Sequence, residues 1–413
     1  TAKNIIDASD AQYNTRVGTN AGNSFSGTNA TYNTLIGYEA GTAITTGDYN
    51  TALGGRDTLK ATTTGSYNVA LGNYTLSSNT TSGNNTAVGY AALNNNTAAS
   101  NTAVGHQALL ANTTGTRNVA VGYNALDANT TGGNNTSIGY LALTDNTTGA
   151  YNTALGDAAL GNNTTADNNT AVGYAALNLN TAAGNSAFGA TALDANTTGA
   201  ANQAFGYAAL GANTTGQYNC AFGHSALAAN TTSDSNTAVG YLALTANTTG
   251  NSNVAVGLEA LETNTTGVRN TALGMRALEA NSTGEENTAV GTGALYANTT
   301  ASYNVAVGQN ALVQNTTGEK NTGLGQDSLY SNTTGNRNVA VGRIALYTNS
   351  TGHYNTALGQ GAMYYNNADS NTSIGYESMN ANTTGTQNVA VGAYALDANT
   401  TTNSNTAVGY NAL

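Results

Sequence analysis

The chain has 413 residues, only 8% of them charged, and a formal net charge of −11 at pH 7. A mildly acidic surface without a basic patch gives no electrostatic support for binding nucleic acid or an anionic membrane, and no apolar run approaches the length of a membrane span. The single cysteine, Cys220, excludes a disulfide within the chain, so the stacking of repeated units is expected to stabilise it instead.

One motif, Asn-x-small-apolar-Gly, recurs along the whole chain. Its glycines run from Gly18 to Gly409 in 24 copies, mostly 17 residues apart. A typical copy, residues 118–134, reads NVAVGYNALDANTTGGN. Asn stands four residues before every Gly, and a second Asn stands seven residues after it from Asn79 to Asn399. Repetition with a fixed period indicates a solenoid whose copies stack on one another.

The two ends of the repeat array differ from its middle. Gly22, Gly41 and Thr58 stand where Leu occurs in later copies, and the spacing of the first copies is uneven. We therefore expect residues 1–65 to form irregular first rungs or an N-terminal cap, which solenoids need to protect an open end. The last copy stops within a rung at Leu413, which predicts that the polypeptide continues or that this face docks on another subunit.

Residues 66–413 form the regular part of the array. The segment Asn-Thr-Ala-Val-Gly alternates from side to side as a short strand does, and so does the segment that ends in Ala-Leu. Gly, Asn and Thr are poor helix formers, and no apolar stripe recurs about every 3.6 residues. The sequence predicts an all-β fold, a parallel β-solenoid (β-roll) of about 24 rungs spaced by ~4.8 Å, with 17 residues and two short strands per rung.

Each rung is expected to bury two apolar side chains. One is the residue before the Gly and the other is the Leu four residues after it, as in Val121 and Leu126 of one rung and Ile138 and Leu143 of the next. The small residues that precede them would then point outward. They would form flat strips on which a neighbouring rod packs, or they would simply avoid crowding in a narrow coil.

Two series of Asn are predicted to stack into amide ladders along the rung axis. One series precedes the Gly (Asn118, Asn135, Asn152) and the other follows it (Asn129, Asn146, Asn163). Three copies are one residue shorter, and all three lose it in the corner between these series, at residues 96–101, 180–185 and 366–371. This corner is expected to be a surface loop, because a deletion within a strand would turn core residues outward.

Two repeated surface features are candidates for binding. A Tyr that follows the Gly could stack on sugar rings, or it could pad the corner or a contact between chains; examples are Tyr123, Tyr140, Tyr174, Tyr207 and Tyr241. The Asn-Thr-Thr segments match the N-glycosylation sequon, which makes Asn112, Asn129 and Asn264 candidate acceptors, although turn chemistry alone also explains these residues. The same Thr array could bind ice, but ice binding needs outward Thr on a flat strand rather than at a corner.

The motif Asn-Thr-Ala-Val-Gly resembles a known repeat. It occurs at residues 85–89, 236–240 and 405–409, and it is similar to the Asn-Ser-x-Ala-Ile-Gly motif of trimeric autotransporter adhesin heads. It also resembles the Asn-Thr-Ala-x-Gly repeats of phage tail-fibre-like proteins that end in a self-cleaving chaperone domain. The first resemblance implies a left-handed parallel β-roll, three of which associate side by side, over residues 66–413. The repeat of that family is shorter, and the extra length here lies in the Asn-Thr-Thr-Gly corner.

No group of residues predicts catalysis, a cofactor or a metal site. His106 and His224 occupy the same position seven rungs apart and cannot share a metal, and Cys220 has no His beside it in the rung pattern. Glu262 and Glu279 occupy the same position in adjacent rungs, ~5 Å apart, which matches a retaining glycosidase pair, but loop starts that face solvent favour a surface pair. We expect a protein that is not an enzyme.

The expected function is structural. The sequence predicts a subunit of an extracellular fibre or filament, at a cell or virion surface, that forms a stiff rod and that also adheres to glycans or cell surfaces. Its expected partner is a second copy of itself, in a homotrimer or an end-to-end filament, and neither nucleic-acid binding nor membrane insertion is expected. The alternatives are an adhesin that binds glycans through its Tyr, Asn and Thr features and, less favoured, an ice-binding β-solenoid.

Overall fold

The computed structural model of the chain describes residues 10–25 and 29–413. These residues contain 24 β-strands of three residues each and no helix. The chain divides into two units, Thr1–Asn202 and Gln203–Leu413. The predicted all-β parallel β-solenoid is confirmed, with one strand in each rung and strands about 17 residues apart.

Each unit is a stack of parallel strands. The first unit contains β1 Thr15–Val17, β2 Thr34–Ile36, β3 Thr51–Leu53, β4 Val69–Leu71, β5 Thr86–Val88, β6 Thr102–Val104, β7 Val119–Val121, β8 Thr136–Ile138, β9 Thr153–Leu155, β10 Thr170–Val172 and β11 Ser186–Phe188. The second contains β12 Gln203–Phe205, β13 Cys220–Phe222, β14 Thr237–Val239, β15 Val254–Val256, β16 Thr271–Leu273, β17 Thr288–Val290, β18 Val305–Val307, β19 Thr322–Leu324, β20 Val339–Val341, β21 Thr356–Leu358, β22 Thr372–Ile374, β23 Val389–Val391 and β24 Thr406–Val408. Within a unit each strand pairs with the next in register, so that Thr86, for example, lies opposite Thr102.

The predicted second strand of each rung is not found, because the segment that ends in Ala-Leu forms turns. Asn124 and Leu126 both have left-handed backbone conformations, with φ of 50° and 56°. Such residues cannot continue a strand, and each costs roughly 1 kcal/mol for a residue with a Cβ. Hydrogen bonds to adjacent rungs offset this cost: Asn124 donates its N–H to the carbonyl of His106, and Leu126 donates to that of Ala142, both at 3.0 Å.

The core is built from Ala and Leu, which corrects half of the predicted core. Leu126 and Leu143 are fully buried as expected, but Val121 is only half-buried and Ile138 is 37% exposed. In a three-residue strand only the middle side chain points inward, and that position is Ala in most rungs. The predicted strips of outward small residues are therefore wrong, since these residues fill a coil too narrow for larger side chains.

The recurrent Gly permits a close approach between rungs. Gly122 has φ of 141°, and a Cβ at this position would lie 2.2 Å from the carbonyl oxygen of Gly139 in the next rung. Any larger residue would therefore be strained in its backbone and would collide with a neighbouring backbone that cannot move aside.

The first Asn series joins each rung to its neighbour through the backbone. The Oδ1 of Asn118 accepts the backbone N–H of Asn135 at 2.9 Å, and the Oδ1 of Asn135 accepts that of Asn152 at 2.9 Å. Each amide nitrogen also donates to a backbone carbonyl, as Asn135 does to Gly149 at 2.8 Å. This series therefore links side chain to backbone more than amide to amide.

The second Asn series forms the amide ladder that the sequence predicts. Asn129 donates to the Oδ1 of Asn112, Asn146 to that of Asn129, and Asn163 to that of Asn146, each at 2.9 Å. All of these side chains are fully buried. The ladder satisfies donors and acceptors that would otherwise be costly to bury.

The described part of residues 1–65 contains strands β1 to β3, which pair as the later strands do. At the first of these rungs Asp10 takes the place of a ladder Asn, because its Oδ1 accepts the backbone N–H of Asn14 at 2.9 Å. Asn14 in turn accepts the N–H of Asn33 at 2.8 Å. The predicted cap stays a prediction, since residues 1–9 and 26–28 lie outside the described residues.

Candidate functional site

The largest repeated surface feature is the outward side of the strands. We define the outer strand face as the first and third residues of every strand. The first position is mostly Thr or Val, the third is always Val, Leu, Ile or Phe, and neither position carries a charged residue in any of the strands described. Several third-position side chains are strongly exposed, including Leu155 at 45%, Phe222 at 55% and Leu273 at 48%.

The outer strand face is more apolar than an isolated soluble protein normally allows. Monomeric proteins rarely expose contiguous apolar patches larger than a few hundred Å². Here one aliphatic or aromatic side chain per rung is repeated along β1–β11 in one unit and β12–β24 in the other. Such a face is suited to packing against another β-sheet, as the inner faces of a β-sandwich are.

The Tyr residues that follow the Gly stack on one another and on His. Tyr90, His106, Tyr123 and Tyr140 form one column, with ring centroids 5.3, 5.1 and 5.4 Å apart and nearly parallel planes. Because the inner ring faces in this column contact neighbouring rings, the ring edges and hydroxyl groups face solvent. The column therefore stabilises the contact between rungs more than it offers ring faces to sugars.

The predicted Tyr stripe is broken elsewhere. Tyr207, His224 and Tyr241 form a second column, with centroids 5.1 and 5.4 Å apart. Tyr174 is exposed, and the neighbouring rungs carry Asp157 and Ala190 at the same position. The two predicted His are thus ring partners of Tyr.

Two further Tyr columns were not predicted. Tyr13, Tyr32, Tyr49 and Tyr67 stack with centroids 4.9 to 5.2 Å apart at the position before the first Asn series. Three more Tyr stack five residues after the Gly, where burial raises the pKa of Tyr347 between its neighbours Tyr330 and Tyr364. Aligning the copies rung by rung would have revealed both columns, since each occupies one repeat position.

The predicted glycan acceptors are wrong for the folded chain. The Nδ2 of Asn129 donates to Asn112 and to the carbonyl of Gly132, and both Asn side chains are fully buried. Asn112 and Asn264 use their Nδ2 groups in the same way. A sequon Asn whose amide protons are both bonded within the core cannot carry a glycan without unfolding its rung.

The Thr residues of the Asn-Thr-Thr corners also act within the fold. The Oγ1 of Thr113 donates to the carbonyl of Thr130, and that of Thr130 donates to the carbonyl of Thr147, both at 3.0 Å. A hydroxyl that donates to the next rung has lost its donor for an external surface. The Thr residues at the first strand position are instead on the outer strand face.

The structure brings the predicted carboxylate pair together with a third acid and an arginine. Ligand oxygens of Glu259, Glu262 and Glu279 all lie within 4.8 Å of one another. Arg276 contacts Glu259 at 2.8 Å and Glu279 at 3.4 Å. Burial raises the pKa of Glu262, and the carboxylates of Glu259 and Glu279 raise it further. Carboxylates of this kind can bind a hard cation such as Ca²⁺, but here a guanidinium already neutralises two of them.

Cys220 is a free, half-buried thiol at the first position of β13. The neighbouring strand β14 has Thr237 opposite it. Its place on the outer strand face follows from its substitution for the usual Thr, and nothing in its surroundings gives it a chemical role.

Comparison with known proteins adds no name to this geometry. No protein-family model matches the chain, and no curated protein matches it. Among the described residues, no helix has the length and apolar character needed to cross a bilayer. The functional conclusion therefore depends on the outer strand face and on the surfaces beside it.

Proposed function

We propose that the protein is a structural subunit of an extracellular fibre or filament, at a cell or virion surface, whose copies associate through the outer strand face. One observation carries this proposal: a repeated, uncharged and largely apolar face remains exposed on the single chain. Its natural partner is a second copy, because an identical strand spacing of ~4.8 Å places matching side chains opposite each other in every rung.

Burial of this face supplies stabilisation that a single coil lacks. The interior of a rung holds little more than one Leu and two Ala, as in Leu126, Ala120 and Ala125. Covering the Val, Leu, Ile and Phe side chains would add about 25 cal/mol for each Å² of apolar surface removed from water. The proposed assembly is a homotrimer, in line with the resemblance to trimeric adhesin heads, and end-to-end joining of rungs is the alternative.

Charge substitutions on the outer strand face test this proposal. The variant Val256→Lys, Leu273→Lys, Val290→Lys places three cations on adjacent strands. The control variant Thr249→Lys, Thr266→Lys, Thr283→Lys adds the same charge at exposed corner positions of neighbouring rungs. Sedimentation equilibrium should give an oligomer for the unchanged chain and the control, and a monomer for the outer-face variant. A monomeric unchanged chain, or an outer-face variant that still assembles, would refute the proposal.

Ice binding is a second candidate, favoured by a specific observation. The first strand position is Thr in most rungs, for example Thr136, Thr153 and Thr170, and each Thr lies beside an aliphatic residue on the outer strand face. A regular row of hydroxyl and methyl groups on a flat strand is the arrangement that the sequence analysis required. Thermal hysteresis measured at high concentration of the chain tests this candidate, and freezing without hysteresis removes it.

A further inference from the structure

A groove on the second unit combines two cations, a histidine and an amide. The cationic groove, as we define it, is lined by Glu319, Lys320, Asn336, Arg337, His353 and Tyr354. These residues occupy the two positions before the first Asn series in three consecutive rungs. The groove lies beside the outer strand face and includes none of its residues, so ligand binding there does not require self-association.

Lys320 and Arg337 are unusual in this acidic chain. They stand at the same repeat position in adjacent rungs, which no other pair of Lys or Arg in the described residues does. Ion pairs in this part of the chain form between Arg269 and Glu286 and between Arg276 and Glu259, whereas no ion pair of the described residues includes Lys320 or Arg337. The two charges are therefore left for an external anion.

Aromatic rings hold both cations in place. The Nζ of Lys320 lies 5.6 Å from the ring centre of Tyr303, and the guanidinium of Arg337 lies 5.4 Å from that of Tyr354. Arg337 also donates from Nη1 to the hydroxyl of Tyr354 at 2.6 Å. Cation–π contacts of this kind reduce the entropy that long side chains lose when they bind a ligand.

His353 and Asn336 add further donors. The backbone N–H of Asn336 donates to Nδ1 of His353 at 2.9 Å. A neutral imidazole that accepts at Nδ1 carries its proton on Nε2, which is then a donor. The Oδ1 of Asn336 accepts the backbone N–H of Glu319, so its amide hydrogens remain for a ligand. The carboxylate of Glu319, at the edge of the groove, can accept from a hydroxyl group.

We propose that the cationic groove binds a saccharide that carries one carboxylate group. The carboxylate would lie between Lys320 and Arg337, where charge-assisted hydrogen bonds are strongest. Neighbouring sugar hydroxyls would donate to Glu319 and accept from His353 and Asn336, a mixture of donors and acceptors that a simple anion does not supply. A polyanion is disfavoured, because the chain carries a net charge of −11 and Asp369 adjoins His353, accepting its backbone N–H at 2.7 Å.

The test uses the full chain and a matched pair of disaccharides. Cellobiouronic acid has one glucuronate linked to one glucose, and cellobiose is the same molecule without the carboxylate. Isothermal titration calorimetry should show binding of cellobiouronic acid that weakens as NaCl is raised, and much weaker binding of cellobiose. Equal binding of the two disaccharides, or no binding of either, would overturn the proposal.

Substitutions locate the binding in the cationic groove. Lys320→Ala with Arg337→Ala should lower the affinity for cellobiouronic acid by about tenfold or more. The control Arg117→Ala removes a cation at the same repeat position in a rung without aromatic neighbours, and it should leave the affinity unchanged. Lys320→Gln with Arg337→Gln keeps the side-chain stems and repeats the test if the alanine variant unfolds.

Two competitors test the ligand class. Inorganic sulfate that binds as tightly as cellobiouronic acid would show that the sugar contributes nothing, and a short oligouridylate that binds more tightly would indicate a nucleic-acid surface. Either result overturns the saccharide proposal. Weak competition by both supports it.

Discussion

The backbone N–H of Asn135 donates to the side-chain oxygen of Asn118 in the preceding rung, at 2.9 Å. Asn135 then accepts the N–H of Asn152 in the following rung and donates to the carbonyl of Gly149. One buried side chain thus completes hydrogen bonds of two backbone groups that no strand pairing reaches. This relationship explains why Asn stands at this position in every copy.

Replacing one ladder Asn should destabilise the chain strongly. Asn135→Leu leaves the N–H of Asn152 and the carbonyl of Gly149 buried without these partners, at about 1–3 kcal/mol each. We expect urea denaturation to report a loss of at least about 2 kcal/mol in the free energy of unfolding. Asn162→Ala, at an exposed position occupied by Ala in other rungs, is the control and should cost less than about 0.5 kcal/mol. Similar losses for both variants would contradict the ladder.

The two apolar positions of a rung should respond differently to truncation. Leu126→Ala opens a cavity in the core and should cost about 2–4 kcal/mol of unfolding free energy. Val121→Ala removes a half-buried side chain and should cost less than about 1 kcal/mol in a monomeric background such as the three-lysine variant. Comparable costs in that background would place Val121 in the core after all.

The recurrent Gly should be irreplaceable even by Ala. Gly122→Ala would bring a Cβ to 2.2 Å from the carbonyl oxygen of Gly139, which no side-chain movement relieves. Thermal unfolding followed by circular dichroism should show a large drop in Tm or loss of the folded state. Gly133→Ala is the matched control, because the next rung has Ala150 at that position, and its Tm should stay close to that of the unchanged chain.

The acidic cluster should make stability depend on pH. The pKa of Glu262 is raised in the folded state, mainly by burial and then by Glu259 and Glu279. A carboxyl with a raised folded pKa loses stability as pH rises from its ordinary value through the raised one, because the folded state holds the proton more tightly. Glu262→Gln should therefore stabilise the chain at pH 7, by less than about 1 kcal/mol since partly exposed charges are screened.

The same stabilisation should vanish in acid, below the ordinary pKa of Glu, where Glu262 is protonated in both states. Urea denaturation at both pH values measures this difference. Glu285→Gln, an exposed residue outside the cluster, is the control. A benefit of Glu262→Gln that persists unchanged in acid would exclude the charge repulsion as its cause.

The sequence predicted the rungs better than it predicted their interiors. The invariable spacing of Asn and Gly within the chain fixed the rung length, the parallel stacking and the Asn series, because a stacked repeat must place like residues opposite each other. The choice of Val121 and Ile138 as core failed because it assumed that the larger side chain of each pair points inward. In this narrow coil the smaller residue fits inside and the larger one remains outside.

The second predicted strand failed for a different reason. Leu and Ala seldom adopt a left-handed backbone, so nothing in the composition of the Ala-Leu segment signals the φ of 56° at Leu126. The bonds that stabilise it come from adjacent rungs and appear only in three dimensions. The cationic groove was missed similarly, since Lys320 and Arg337 are 17 residues apart and become neighbours only when the rungs are stacked.

The bonding of each rung to its immediate neighbours alone has a genetic consequence. Within a unit, β5 pairs with β4 and β6 and with no other strand, and the ladder Asn residues follow the same rule. A duplicated or deleted repeat in the gene therefore inserts or removes one complete layer and leaves every other layer with the same partners. Unequal recombination between repeats can change the length of the encoded stack in a single step, without any compensating substitution elsewhere.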